Sequence, residues 1–308
     1  MNRCPISYLP CGIDSYNLKG LRQLSKNLNL LHPIPYTTSE QRQEALSRAA
    51  KQSIQGVQPK LSATLSLKEQ KFEIVDQFGT YIIKPQNDLF KELPENEDLT
   101  MKMAKMYTIE VPIHGLVYSK DNSLSYFIKR FDRYGKDKKF QTEDFSQLTG
   151  NSRDTKYNYS MEKTVQVLND YCTFPTVEKT DYFKRILFCF LTGNEDMHLK
   201  NFSLITRYGK TTLAPAYDFL NSSIAIKNPQ EEMALSLKGK KSSFKKTDII
   251  NYFAKDRLEL NNKTIDLVLK QMENNVTKWK ELIEISFLSD DMKTKYQNLL
   301  ESRLSRFE

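Results

Sequence analysis

The chain has 308 residues, 39% of them hydrophobic and 27% charged, with a formal net charge of +8. That length supports two compact lobes and excludes a string of independent domains, and the apolar content excludes intrinsic disorder. No apolar run of 18 residues or more occurs, so no membrane-spanning helix is expected. The segment Met1-Asn2-Arg3-Cys4-Pro5-Ile6 lacks a signal-peptide core, which points to the cytoplasm. Cys4, Cys11, Cys172 and Cys189 show neither CxxC spacing nor histidines in metal register, so zinc is not expected. The positive charge reads as a solvated basic surface, or as attraction to an anion such as ATP, a tRNA-bound protein or DNA. Its densest cluster, over 238–246, carries one aromatic residue and reads as a solvated loop. No RNP or zinc-finger signature is present, so direct reading of nucleic acid is not expected.

In chain order, residues 1–35 are irregular apart from a short helical period over 21–31. Thr38-Ser39-Glu40-Gln41 reads as a capping box opening a helix to about residue 51. A loop over 53–62 follows, then strand-like runs over 63–67, 72–75 and 80–84. Lys84 ends the third run just before Pro85, where the chain must leave a sheet. The bland reading is a solvent-facing lysine. Leu99, Met103 and Met106 form the stripe of an amphipathic helix. Glu97 in its first turn is placed either to pair with Lys84 or merely to suit the helix dipole. Runs over 113–118 and 125–133 complete five strands. From about residue 140 the pattern turns helical, with periods over 161–168, 180–191, 247–255, 263–273, 276–287 and 290–307. Cys189 and Trp279 read as core residues.

Two loops carry the chemistry. The apolar helix over 182–191 ends at Gly193, and Asp196, His198, Lys200 and Asn201 follow within one loop before a β-prone run. An Asp followed five positions later by Asn is the spacing with which protein kinases provide a proton acceptor and a Mg²⁺ ligand. Downstream, Ala216-Tyr217-Asp218-Phe219 supplies a second metal-binding acid, although Leu220 stands where kinases have glycine. Lys84 and Glu97 then correspond to the phosphate-holding lysine and its helix partner.

Taken together, Ser53-x-x-Gly56-Val57-Gln58-x-Lys60, Tyr81-Ile82-Ile83-Lys84, Asn96-Glu97, Arg130-Phe131-Asp132-Arg133, Glu143-Asp144-Phe145-x-Gln147, Gly193-Asn194-x-Asp196-x-His198-x-Lys200-Asn201 and Tyr217-Asp218 resemble the HipA family. These are bacterial Ser/Thr protein kinases acting as toxins of toxin–antitoxin systems. The resemblance covers about residues 50–220. It implies an α+β, two-lobed kinase-like fold with a β-rich N-lobe (51–135), a larger all-helical C-lobe (136–308) and an N-terminal extension (1–50) packing on the N-lobe. The family's extra N-terminal subdomain is not recognisable, which is similar to the short HipT-type toxins, where a separate small protein replaces it.

By the same resemblance Asp196 is the catalytic base, and Asn201 and Asp218 hold Mg²⁺. The ATP-binding set is Lys84, Lys129, Arg130, Phe131, His198, Lys200, Asn201, Tyr217 and Asp218, with Gly56, Val57 and Gln58 in the phosphate-covering loop. Ser53 is the autophosphorylation site. Gln55 replaces a second serine of the short toxins, and Lys129 replaces the glutamate usual before Arg-Phe-Asp. The implied substrate is an aminoacyl-tRNA synthetase, with the tryptophanyl enzyme favoured. The implied partners are antitoxin proteins, including a DNA-binding one and the small protein. Two alternatives stand beside this reading: a small-molecule kinase similar to aminoglycoside phosphotransferases, and a kinase-like scaffold that binds antitoxin partners without catalysis.

Overall fold

The computed structural model describes residues 2–49, 58–135, 137–151 and 155–307. Ser53, Gly56 and Val57 lie outside them. Two compact units are present: Met1–Leu99 with Pro112–Arg133 and Ile285–Leu288, and Thr100–Val111 with Tyr134–Glu284 and Ser289–Glu308.

The first unit is built on a five-stranded antiparallel sheet, in spatial order Lys71–Ile74, Leu61–Ser66, Tyr81–Lys84, Leu124–Lys129, His114–Tyr118. These are the five expected strands. Side chains alternate between faces along each strand. One face presents Leu61, Ala63, Phe72, Tyr81, Ile83, Val117 and Phe127, all buried. The irregular N-terminal stretch covers that face with Cys4, Ile6, Leu21, Leu24, Leu28, Leu31 and Ile34. The helix expected over 21–31 is Leu18–Leu24 instead, and beyond Leu24 it is burial that orders the stretch to residue 35. Lys84 pairs in register with Tyr126. Both alternate away from that core, because their neighbours Ile83 and Phe127 belong to it.

The expected capping box sits one residue early. Thr37 is the cap, its Oγ1 accepting from the Glu40 amide (3.2 Å) while Glu40 accepts from the Thr37 amide (2.7 Å). The helix then runs Thr38–Ala49. Likewise the Leu124–Lys129 strand ends before Arg130, where the sequence pattern suggests continuation to 133.

The helix expected from the Leu99 stripe spans Leu93–Met106. Its N-terminal half buries Glu95, Glu97 and Asp98. Asp98 accepts from His114 Nδ1 at 2.8 Å. Burial raises the Glu95 carboxyl from 4.5 to about 7, against an opposing hydrogen bond from Gln86. The folded chain thus holds this proton up to about pH 7, whereas the unfolded chain releases it near 4.5. Stability contributed by the protonated form is complete below that lower value and is lost as pH rises through the upper one, by roughly 3 kcal/mol over the window. Glu95→Gln should flatten this fall. Urea unfolding at pH 5 and pH 7.5 checks it, and an unchanged slope would place the titrating group elsewhere.

The second unit is mainly helical, with Met161–Tyr171, Pro175–Thr192, Asn262–Glu284 and Asp290–Leu304 as its long helices. The all-helical C-lobe that the resemblance implies is corrected here, because this unit also holds strands. Gln141–Asp144, Ser203–Arg207 and Lys210–Leu213 form a three-stranded antiparallel sheet. The separate helices expected over 263–273 and 276–287 are one continuous helix. Residues 248–257 form a helix of wider, π-type turns. Trp279 is fully buried, donates Nε1–H to the Met103 carbonyl (3.1 Å) and meets Tyr107 and Phe188 edge-on. Cys189 is a fully buried core residue, as its helix pattern implies. Within the basic segment, Lys238 and Lys240 both pair with Asp248, so that loop is not merely solvated. Among the described residues no helix is long and apolar enough to cross a membrane.

Candidate active site

In the first unit, Lys84 and Glu97 meet as a buried pair. Lys84 Nζ donates to both Glu97 oxygens at 2.6 and 2.8 Å, with side-chain exposures of 3% and 2%. The ring of Tyr126 lies 5.5 Å below the ammonium. Desolvating two charges costs several kcal/mol per ion before their attraction offsets it. Glu97 is thus the partner of Lys84, and compensation of the helix dipole alone does not account for its position.

Lys129 keeps an exposed side chain, and its amide donates to Ile113 (2.8 Å), while that of Arg130 donates to Thr80 (2.8 Å). The Arg130 guanidinium is held by both oxygens of Asp132 (3.0 and 2.8 Å), which Arg133 also approaches at 3.5 Å. The Arg-Phe-Asp-Arg motif is thus an ion-pair knot at the end of the strand. The cationic head of Arg130 is turned to Asp132. Gln58 and Phe131 are half-buried.

In the second unit, the buried helix Pro175–Thr192 stops at Gly193, which is left-handed (φ 68°). A Cβ there would lie 2.8 Å from Asn221 Oδ1 and 2.9 Å from Leu299 Cδ2. Gly193→Ala should therefore lower stability by at least about 1–2 kcal/mol, the cost of a left-handed alanine alone. A denaturant midpoint equal to wild type would count against that reading.

Beyond Gly193 the loop is closed by its own polar groups. Asn201 Nδ2 donates to the Asp196 carbonyl (3.0 Å), and the Asp196 amide donates to Asn194 Oδ1 (3.2 Å). Asn194, buried, also donates to the Asp218 carbonyl (3.3 Å), tying the two loops together. Ser222 and Ser223 both donate to the Gly193 carbonyl (3.2 and 3.0 Å), and the Glu195 amide donates to Ser222 (2.8 Å). Asp218 has a positive φ of 56°, a conformation that aspartate tolerates better than most residues. Neither Asn194 nor the serines had been given a role from sequence. The signal for Asn194 was its place inside the motif; the serines carried none.

The Tyr217 hydroxyl lies 2.6 Å from Ser203 Oγ and donates to the Lys200 carbonyl at 2.9 Å. It is a brace between the loops, and burial raises its phenol well above the ordinary value. The Glu-Asp-Phe-x-Gln motif is a capping box. The Gln147 amide donates to Asp144 (2.8 Å) and the Asp144 amide to Gln147 (2.9 Å), while buried Phe145 packs on Phe202 and Tyr182. Lys200 sits close enough to lower the Asp144 carboxyl, although burial raises it on balance.

His198 is buried, and burial holds its imidazole below the ordinary value, with Lys156 adding to and Asp196 opposing the effect. Lys156 Nζ lies 2.7 Å from His198 Nε2. An ammonium has no acceptor, so Nε2 accepts and the ring proton sits on Nδ1. The Asp196 carboxylate is half-exposed (49%) and lies 4.0 Å from Nε2.

Within the second unit, the carboxamide oxygen of Asn201 and the carboxylate of Asp218 belong to the two loops that Asn194 ties together. Hard oxygen donors of this kind suit Mg²⁺, which prefers one or two carboxylates and retains water. Burial, with Glu231 and Asp196 adding, raises the neighbouring Glu195 to about 7.

Comparison with known proteins places the chain in a family. Residues 52–279 match the HipA-like C-terminal domain family. A Haemophilus influenzae protein named "Putative kinase" is 33% identical over 245 residues, covering 72% of this chain and 69% of that protein. The serine/threonine-protein kinase toxin HipA of Shewanella oneidensis is 29% identical over 189 residues, 55% of this chain and 43% of the toxin. The solved complex of Shewanella HipA with HipB and operator DNA superposes with a TM-score of 0.69 at 21% identity, over 96% of this chain and 80% of that one, a likeness of fold. The expected α+β, kinase-like architecture is therefore correct, and the chain belongs to the HipA-like family, whose named relatives are kinases.

Proposed function

We propose that this chain is a Mg-ATP-dependent Ser/Thr protein kinase acting as the toxin of a toxin–antitoxin pair. The observation that carries the reading is the buried Lys84–Glu97 pair at 2.6 Å, the strand-lysine to helix-glutamate ion pair that protein kinases need in place. Lys84 would hold the ATP phosphates, and Lys129, Arg130 and Phe131 would line the adenine side through their backbone and the Phe131 ring. His198, Lys200 and Tyr217 would lie near the nucleotide, with Gly56, Val57 and Gln58 in the phosphate-covering loop. Asn201 and Asp218 would hold Mg²⁺, which supplies charge neutralisation on the phosphates when bound. Asp196 accepts the proton of the acceptor hydroxyl.

Ser53 is the proposed autophosphorylation site, where about −1.5 to −2 of added charge beside an anion site would switch the kinase off. The proposed substrate is an aminoacyl-tRNA synthetase in the cytoplasm, the tryptophanyl enzyme first. An antitoxin that binds DNA is the proposed partner, supported by the HipB and operator DNA in the Shewanella complex. A second small protein in place of the N-terminal subdomain is also proposed.

The test is incubation of the purified chain with labelled ATP and Mg²⁺ beside Ser53→Ala, followed by mass spectrometry of the phosphorylated sites. Phosphate on Ser53 in wild type supports the reading. A wild-type chain that is unphosphorylated at the outset and transfers no phosphate to itself or to any synthetase would favour the scaffold.

A further inference from the structure

The segment just before the Met161–Tyr171 helix, with no role assigned above, reaches the catalytic loop through two side chains. Tyr157 donates its hydroxyl to Asp196 Oδ1, its ring lies edge-on to His198 at 5.0 Å, and Lys156 takes His198 Nε2. Lys156 also lies 4.8 Å above the Tyr157 ring, and Lys241 lies at 5.7 Å. All of these groups belong to one compact unit.

An aromatic hydroxyl placed on the base has the same donor geometry as an acceptor alcohol about to give up its proton. We propose that Tyr157 occupies the acceptor subsite of Asp196, so that an incoming hydroxyl must displace the segment containing Lys156 and Tyr157 before it can react. This rests on the reading of Asp196 as a base. Three features favour occupancy over simple support of the base. The loop backbone is already fixed by Asn201 and Asn194, so Tyr157 is not needed to hold it. Its bond is to the carboxylate oxygen, the atom that must receive the proton, and not to the backbone. The carboxylate is otherwise half-exposed, so an acceptor has access once the phenol leaves.

The test uses water as the acceptor, which requires no knowledge of the natural substrate. In that reaction the water oxygen bonds to the γ-phosphorus, its proton passes to Asp196 and ADP leaves. Tyr157→Phe keeps the ring but removes the donor. It should raise Mg-ATP hydrolysis, and labelled transfer to dephosphorylated casein, by roughly tenfold or more, since a hydrogen bond to a charged group no longer competes. The KM for ATP should not move. A lower rate, or an unchanged one, in an otherwise active enzyme would overturn the proposal, because a residue that positions the base loses kcat when its hydroxyl is removed.

If wild type and Tyr157→Phe both fail to use ATP, the kinase reading fails, yet occupancy is still decided. In chain labelled with ¹³C at tyrosine Cζ, the signal absent from Tyr157→Phe belongs to Tyr157. A shift of that signal in Asp196→Ala supports the contact, and an identical position overturns it.

Discussion

Asp196→Asn should lower phosphoryl transfer by ~10²–10⁴-fold, the usual contribution of a positioned general base, while leaving nucleotide affinity and fold intact. The fold should survive because the loop is held through the Asp196 carbonyl and amide, by Asn201 and Asn194, and not through its carboxylate. The carboxylate is half-exposed, so neutralising it strands no buried partner. Asparagine has nearly the same volume and still accepts from Tyr157. What disappears is the basicity of the oxygen that takes the proton. Isothermal titration with Mg-ATP, together with the rate of labelled phosphate transfer, separates the two effects. Transfer equal to wild type would remove Asp196 from the mechanism, and loss of both binding and unfolding cooperativity would show a structural role instead.

The second large effect lies at Lys84 and Glu97. Lys84→Met leaves the Glu97 carboxylate buried without its ammonium, and Glu97→Leu leaves the ammonium without its carboxylate. Either change should cost about 3–5 kcal/mol of stability, the range for removing one member of a buried ion pair. The double variant, with two apolar side chains of similar size, should recover most of that loss, since replacing a buried pair by packed apolar groups is often neutral. Activity should not recover. Stability that returns while transfer stays abolished is the signature of a pair kept for function. Denaturant unfolding of the four proteins gives the coupling energy directly. If the double variant were no more stable than the sum of the single changes predicts, the pair would not be energetically coupled.

Much of the architecture could be read from one-dimensional pattern. Alternating residues over 63–67 and short apolar runs over 72–75 and 80–84 marked strands of the sheet, because a half-buried strand must alternate. Gly193 marked the end of the apolar helix, because only a residue without Cβ takes a left-handed cap there at no cost. The sequence left Glu97 open between pairing with Lys84 and merely suiting the helix dipole, and the structure decides for the pair. Patterns failed where packing alone decides. The helix over Asn262–Glu284 runs through residues 274 and 275, where periodicity suggested a break, because Trp279 and Met272 bury on one continuous face. The three-stranded sheet of the second unit depends on pairing Gln141–Asp144 with Ser203–Arg207, about sixty residues apart in sequence, and no local signal reports such a pairing.

The amino-acid sequence by itself determined the residue pattern: an acid, an amide and a second acid at the spacing kinases use, a strand lysine, and motifs that place the chain in the HipA-like family. Those are properties of residue type and order, which local geometry converts directly into donors and acceptors. Only the tertiary structure decided which groups those residues meet. It turned the Arg130 charge onto Asp132, made Tyr217 a brace between loops, recruited Asn194 to tie Asp196 to Asp218, and set the Tyr157 hydroxyl on the Asp196 carboxylate. Such contacts join residues distant in the chain, and they form only when burial of the surrounding core makes their partners' positions unique.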